Sequence, residues 1–300
     1  MAVIEVDNLV KHYGATPAVD GISFRVEPGE VYGLLGENGA GKSTTVEILE
    51  GHRIRTAGSV SVLGEDPGLA SRAFRDRIGI VLQTSGIEIE LTVREAITLY
   101  RRCYRRSRSV EECVELVGLG ESADQRVETL SGGQKRRLDL ALGIVGRPEL
   151  LFLDEPTTGF DAAARRNSWE LIRSLGDDGT TVVLTSHYLD EVEHLASRVG
   201  VLVGGRMIAE GAPATLSGNF GVTTIRFHLP ADVRLDEVLG QHAAAATEQE
   251  GVVTLPTESP TAALHALTSW AAGRGEELAG LTVSRPTLED MFLELTADAK

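Results

Sequence analysis

The sequence predicts an α/β protein, a mostly parallel sheet with helices packed around it, followed by a small α+β domain. Three observations carry that prediction. Residues 150–153 (Leu-Leu-Phe-Leu) and 181–184 (Thr-Val-Val-Leu) are short apolar runs, the pattern of strands buried on both faces. Such runs alternate with helical apolar stripes, the order that generates a parallel sheet. A seam of small and turn-forming residues at 211–218 then separates a final segment of different character.

In chain order, residues 3–6, 22–26 and 31–35 are β-rich and broken by turn residues such as Glu27-Pro28-Gly29-Glu30, so each reads as a strand. Thr92 and Glu95 match a capping box, and Ala96, Leu99, Cys103 and Tyr104 follow at helical spacing. Leu138, Ala141, Leu142 and Val145 form an i, i+3, i+4, i+7 stripe ended by Gly146 and Pro148. A hairpin over residues 201–208, turning at Gly204-Gly205, closes this domain, which is expected to span residues 1–219. The second domain, residues 220–300, carries strand-like pieces at 223–227, 251–255 and 281–283 with helical stretches between them. Its last helix is marked by Thr287 as cap, Asp290 three residues on, and the stripe Leu288, Met291, Phe292 and Leu295.

Composition narrows the functional classes. The 300 residues hold 29 Lys and Arg against 44 Asp and Glu, a net charge of −15, which argues against nucleic acid as a partner. The two cysteines, Cys103 and Cys113, make neither a disulfide framework nor a metal-ligand pattern. The N-terminal residues lack the basic and apolar regions of a secretory signal, and no apolar run approaches the roughly 18 residues of a membrane span. The expected location is therefore cytoplasmic, with any role at a membrane exercised through a partner.

Three motifs carry chemistry. Gly36-Glu37-Asn38-Gly39-Ala40-Gly41-Lys42-Ser43 matches G-x-x-x-x-G-K-[ST] directly after an apolar strand. Its glycines let backbone N–H groups turn inward around phosphates, Lys42 supplies a positive charge, and the Ser43 hydroxyl suits Mg²⁺ at a helix start. The run at 150–153 delivers Asp154 and Glu155 at its C-terminal end, where open α/β sheets place ligands. Asp154 fits a metal shell and Glu155 a general base for a water attacking the γ-phosphate. Leu130-Ser131-Gly132-Gly133-Gln134 is a second capping box, and its paired glycines leave a helix N-terminus bare enough to grip an anion.

Leu-Ser-Gly-Gly-Gln followed by Leu-Asp-Glu-Pro resembles the nucleotide-binding subunit of an ATP-binding cassette (ABC) transporter. The resemblance covers roughly residues 1–215 and implies a P-loop NTPase fold: a RecA-like, mostly parallel sheet with an antiparallel β subdomain and a helical subdomain. It implies ATP as substrate, Mg²⁺ as cofactor, and a phosphate cradle running from Gly36 through Lys42 and Ser43 to Thr44. Tyr13 matches the aromatic that stacks on adenine, Gln83 the loop glutamine that touches Mg²⁺ and water, and His187 the switch histidine at the γ-phosphate. Asp161 matches the loop aspartate that crosses to a second subunit. In the family two copies pair head to tail, so that Ser131, Gly132, Gly133 and Gln134 of one close on the ATP held by the other.

The implied function is ATP hydrolysis that energises export of a drug, antibiotic or lipid-like substrate through a separate integral membrane permease. The subunit would sit on the inner face of the cell membrane. Arg136-Arg137-Leu138-Asp139-Leu140 and the ending Pro286-Thr287-Leu288-Glu289-Asp290-Met291-Phe292 are similar to ATPases of the daunorubicin-resistance type. Departures from the family pattern are Glu37 for proline, Phe160 for leucine and Ala162 for proline, all near the expected subunit interface. The alternative is a soluble ABC-type switch acting on ribosomes or DNA ends, whose members usually carry two cassettes or a coiled-coil insertion. The arginine run at 101–108 reads first as a solvated face and second as a contact for a permease or anionic lipid.

Overall fold

A computed structural model describes residues 1–69, 71–82, 86–157, 159–186, 188–219, 222–229, 233–239, 243 and 245–298. The chain forms two compact units, Met1–Pro213 and Ala214–Lys300.

The first unit opens with the strands β1 (Ile4–Tyr13), β2 (Thr16–Val26) and β3 (Val31–Gly36), and β3 feeds the helix α1 (Lys42–Leu49). Then come β4 (Ala57–Val62), α2 (Arg72–Arg75), β5 (Ile78–Val81), α3 (Val93–Arg101), α4 (Val110–Leu116) and α5 (Gly132–Ile144). The unit finishes with β6 (Leu150–Asp154), α6 (Ala162–Asp177), β7 (Thr181–Thr185), α7 (Leu189–Leu195), β8 (Arg198–Val203) and β9 (Arg206–Gly211).

Six of these strands form one sheet in the order β5-β6-β7-β3-β8-β9, parallel except for the last, which pairs antiparallel with β8. The strands β3, β6 and β7 are almost wholly buried, which explains why their sequences are apolar without alternation. A second, antiparallel sheet has the order β2-β1-β4. Its strands do alternate, and Ile4, Val6, Leu9, Ile22 and Phe24 pack in one core with Tyr32, Leu34, Val46 and Ile48 of β3 and α1. Phe24 stacks on Tyr32 with ring centroids 5.3 Å apart. Each such large apolar side chain taken from water contributes roughly 1.5–3 kcal/mol, so the glycine loop between β3 and α1 is anchored on both sides by buried elements.

The helices largely follow the expected signals, with two differences. Both capping boxes form, Thr92 with Glu95 and Ser131 with Gln134. The buried face of α3 is Val93, Ala96 and Ile97, whereas Leu99 is 47% exposed and the helix ends at Arg101. Beyond it the chain turns back on α5: the Arg108 N–H donates to the Val145 carbonyl (2.7 Å), and the Tyr104 ring packs so tightly over Gly146 that a Cβ there would lie 2.4 Å from it. Cys103 and Tyr104 therefore leave the helix. The helix α5 is buried on every side from Leu138 to Ile144, more than the single stripe expected, because β5 and the helices α3 and α4 all pack on it.

The second unit contains α8 (Pro213–Asn219), β10 (Thr223–His228), α9 (Leu235–Leu239), β11 (Thr247–Gln249) and β12 (Val252–Thr257). It ends with α10 (Pro260–Arg274), β13 (Thr282–Ser284) and α11 (Leu288–Asp298). Its four strands are antiparallel in the order β11-β12-β10-β13. Ile225, Phe227, Val253 and Leu255 of the sheet pack with Val238 and Leu239 of α9 and Ala263 and Leu267 of α10. Thr287 and Asp290 cap the last helix reciprocally, at 2.9 and 3.2 Å. Among the described residues no helix is long and apolar enough to cross a membrane.

Candidate functional site

The sheet order sets the site. Strand β7 lies between β3, which leads into the glycine loop, and β6, which ends in Asp154. Thr185, the last residue of β7, is paired with Leu34 on one side and Asp154 on the other. Its hydroxyl donates to Asp154 Oδ1, and its carbonyl accepts the Glu155 N–H at 3.0 Å. The two carboxylates are thereby fixed at the C-terminal edge of the sheet, beside the glycine loop.

A polar cavity of about 500 Å³ opens there, lined by Ala18, Asn38, Gly39, Gly41, Lys42, Ser43, Thr44, Asp154 and Glu155. Segments more than 100 residues apart in sequence, the glycine loop and the end of β6, thus share one concavity. Gly41 has φ +101°, and a Cβ on it would stand 2.4 Å from the Ala18 carbonyl oxygen of β2. No side chain fits where the loop is pressed that closely, which is why the residue before Lys42 is glycine. A Cβ on Gly36 would likewise stand 2.5 Å from the Leu202 carbonyl oxygen.

Lys42 is only 7% exposed, and its Nζ donates to the carbonyls of Gly36 (2.6 Å) and Glu37 (3.1 Å). Burial pulls its pKa down, while the negative charges of Glu155 and Asp154 push it back up. A buried ammonium facing two carboxylates across a polar cavity is matched to a polyanion accompanied by a cation. Ser43 and Asp154 supply hard oxygen donors to that cavity, a set that suits Mg²⁺ shared with phosphate oxygens.

The remaining expected residues are placed as follows. Ser131 and Gln134 cap α5, with Ser131 Oγ accepting the Gln134 N–H at 3.2 Å and Gln134 Oε1 accepting the Ser131 N–H at 2.8 Å. The paired glycines are left as the first helical residues, Gly132 and Gly133. Asp161 caps α6 through the Ala164 N–H at 2.8 Å. Tyr13 ends β1, 44% exposed, with Lys11 Nζ and the Arg53 guanidinium each 5.2 Å from its ring centroid. None of these six lines the cavity of the same chain. Gln83 and His187 lie outside the described residues.

Charged residues beyond the expected set also reach the site. Arg136 and Glu191, 7% and 0% exposed, bond to the segment that follows β6. Arg136 stands in the run already noted after the glycine pair, but no spacing rule connects it to Glu155. In the arginine run, Arg108 pairs with Glu112 at 2.6 Å and is structural, whereas Arg102, Arg105 and Arg106 are exposed.

The family described as ABC transporter matches residues 19–158, and the C-terminal domain of ABC transporter domain-containing protein-like sequences matches residues 223–287. The chain is 40% identical to the Nod factor export ATP-binding protein I of Paraburkholderia xenovorans (strain LB400), over 98% of this chain and 97% of that protein. It is 36% identical to the daunorubicin/doxorubicin resistance ATP-binding protein DrrA of Streptomyces peucetius, over 98% and 92%. Among solved structures it is similar to an ATP-binding subunit of an ABC transporter, with a TM-score of 0.67 and 26% identity over 73% of this chain and 93% of the other. A dimeric ATP-binding cassette in a post-hydrolysis state with ADP and Pi aligns with a TM-score of 0.63 at 26% identity, over 70% and 98%.

Proposed function

The chain belongs to the ABC transporter family of ATP-binding subunits, and from that premise we propose that it hydrolyses ATP to energise export through a separate integral membrane permease. The observation that carries the reading is the shared cavity of Lys42, Ser43, Asp154 and Glu155. The exporter direction is supported by the two relatives above, whose names specify export and drug resistance. The first unit is read as the catalytic cassette and the second as an accessory domain.

In this reading, Lys42 exchanges the carbonyls of Gly36 and Glu37 for phosphate oxygens, and the backbone N–H groups of the loop complete the cradle up to Thr44. Ser43 and Asp154 would hold Mg²⁺, with Gln83; when bound, it neutralises phosphate charge. Glu155 takes a proton from the water whose oxygen bonds to the γ-phosphorus, while the bond from that phosphorus to the bridging oxygen breaks to release ADP and phosphate. His187 steadies the γ-phosphate, and Tyr13 stacks on the base. Ser131, Gly132, Gly133, Gln134 and Asp161 are read as serving the nucleotide of a partner in a head-to-tail dimer, and their absence from this chain's cavity lining agrees with that reading without assigning it, since Tyr13 is absent from the lining too. The subunit then works on the inner face of the membrane.

The test is to tag the chain in its native cell, solubilise membranes gently and analyse what co-purifies. A multi-span protein in stoichiometric amount is the expected result. Recovery of the chain alone, or with ribosomes, overturns the transport reading and leaves ATP hydrolysis intact.

A further inference from the structure

Glu155 has φ +49°, in the left-handed region that a residue with a Cβ occupies only under constraint. The constraint is visible. Arg136, from the second turn of α5, sends Nη2 to the carbonyls of Asp154 (2.6 Å) and Glu155 (2.9 Å) and Nε to that of Pro156 (3.1 Å). Its Nη1 donates to the Leu82 carbonyl and lies 3.7 Å from Asp139 Oδ2. One planar fork therefore collects four backbone carbonyls from two segments. At the far end of the same loop, Thr157, fully buried, donates its hydroxyl to Glu191 Oε1 at 2.7 Å, and Trp169 Nε1 donates to that oxygen at 3.2 Å.

We infer that Arg136 is a positioning residue for ATP hydrolysis: it holds the Glu155 backbone left-handed and so sets where the carboxylate points. The chemistry separates this from ordinary core packing. An arginine buried only to make an ion pair would engage its carboxylate fork to fork, yet the Asp139 contact is its longest, and the short bonds go to main-chain oxygens flanking the base. Burial lowers the pKa of the guanidinium and Asp139 and Asp154 offset part of that, and arginine, whose ordinary value lies far above neutral pH, keeps its charge and its strong donors. Arg136 also stands on the helix begun by Ser131-Gly132-Gly133, so any shift of that helix reaches Glu155 through a rigid tie. Lysine, with three donors on one atom, does not reproduce a fork that reaches these carbonyls from three separate nitrogens.

The inference rests on the reading of Glu155 as base, and the experiment separates the two. Arg136→Lys is expected to lower kcat about 10- to 100-fold, the effect of misplacing a catalytic group by a fraction of an ångström to 1 Å, with KM for ATP held within about threefold. In a Glu155→Gln background the same substitution should change the residual rate by less than about twofold, because its effect passes through the carboxylate. Thr157→Val, which releases the other end of the loop while keeping side-chain volume, should show the same kcat loss without a KM change, and it serves if Arg136→Lys fails to fold. Unchanged kcat, a rise in KM in place of the kcat loss, or an undiminished effect in the Glu155→Gln background overturns the inference. Near-normal turnover in Glu155→Gln alone overturns the underlying reading instead.

Discussion

Replacing Glu155 with glutamine is the sharpest perturbation of this site, because it changes charge and proton affinity with almost no change of shape. The Glu155 N–H bond to the Thr185 carbonyl and the bond that the Glu155 carbonyl accepts from the Arg136 guanidinium use only the backbone of residue 155 and survive the substitution. General-base catalysis is worth about 10²- to 10⁴-fold, so turnover should fall by that factor, or about 2.7–5.4 kcal/mol in the barrier at 1.36 kcal/mol per decade. Binding should move the other way. Lys42 and Glu155 interact electrostatically across the cavity, and losing one carboxylate removes repulsion toward incoming phosphates. At a partly solvated site that is on the order of 1 kcal/mol, so ATP should bind about fivefold tighter. Steady-state phosphate release measures the first effect, and calorimetric titration with ATP measures the second. Turnover within threefold of the parent refutes the assignment of the base. A loss of turnover accompanied by more than tenfold weaker binding refutes it as well, since the cavity would then have been damaged rather than disarmed.

Two further outcomes follow from the same geometry. Lys42→Ala removes two charge-assisted contacts to phosphate, each worth about 1.5–3 kcal/mol, and should weaken ATP binding at least 10²-fold in a titration; a change below fivefold counts against the loop. Glu50, at the end of α1 and 4% exposed, has its pKa pushed up to about 8 by burial first and then by the nearby charges of Asp154 and Glu47. The folded state thus holds that proton more tightly than the unfolded chain, where it titrates near 4.5, so the stabilisation is complete below about 4.5 and is lost as pH rises through about 8. Thermal melting of the nucleotide-free protein should decline over that window, and Glu50→Gln, which imitates the neutral acid, should flatten the decline; parallel curves for the two proteins contradict it.

The legibility of the chain varies with the range of the interactions involved. Strands β3, β6 and β7 are evident in sequence because burial on both faces demands continuous apolar runs. The caps of α3 and α5 are evident because a cap is a local exchange of side-chain and backbone bonds. The end of α3 is not, since Tyr104 leaves helical spacing to pack on Gly146, 42 residues away in sequence, a contact that no local period encodes. Strand β11, three exposed residues long, carries no apolar pattern and forms only because β12 offers it an edge.

By itself, the sequence determined the chemistry on offer. The glycine loop, the carboxylate pair and the capped Ser-Gly-Gly-Gln helix are local patterns, legible from residue type and spacing alone. Only the tertiary structure decided how they meet. Thr185 spans from β3 to β6 because β7 lies between those strands, Ala18 forbids a side chain at Gly41, and Arg136 clasps the backbone of Glu155 from helix α5. These are contacts between residues 19 to 151 positions apart, and their partners are set by strand order and packing, which a reading of spacing along one chain does not contain.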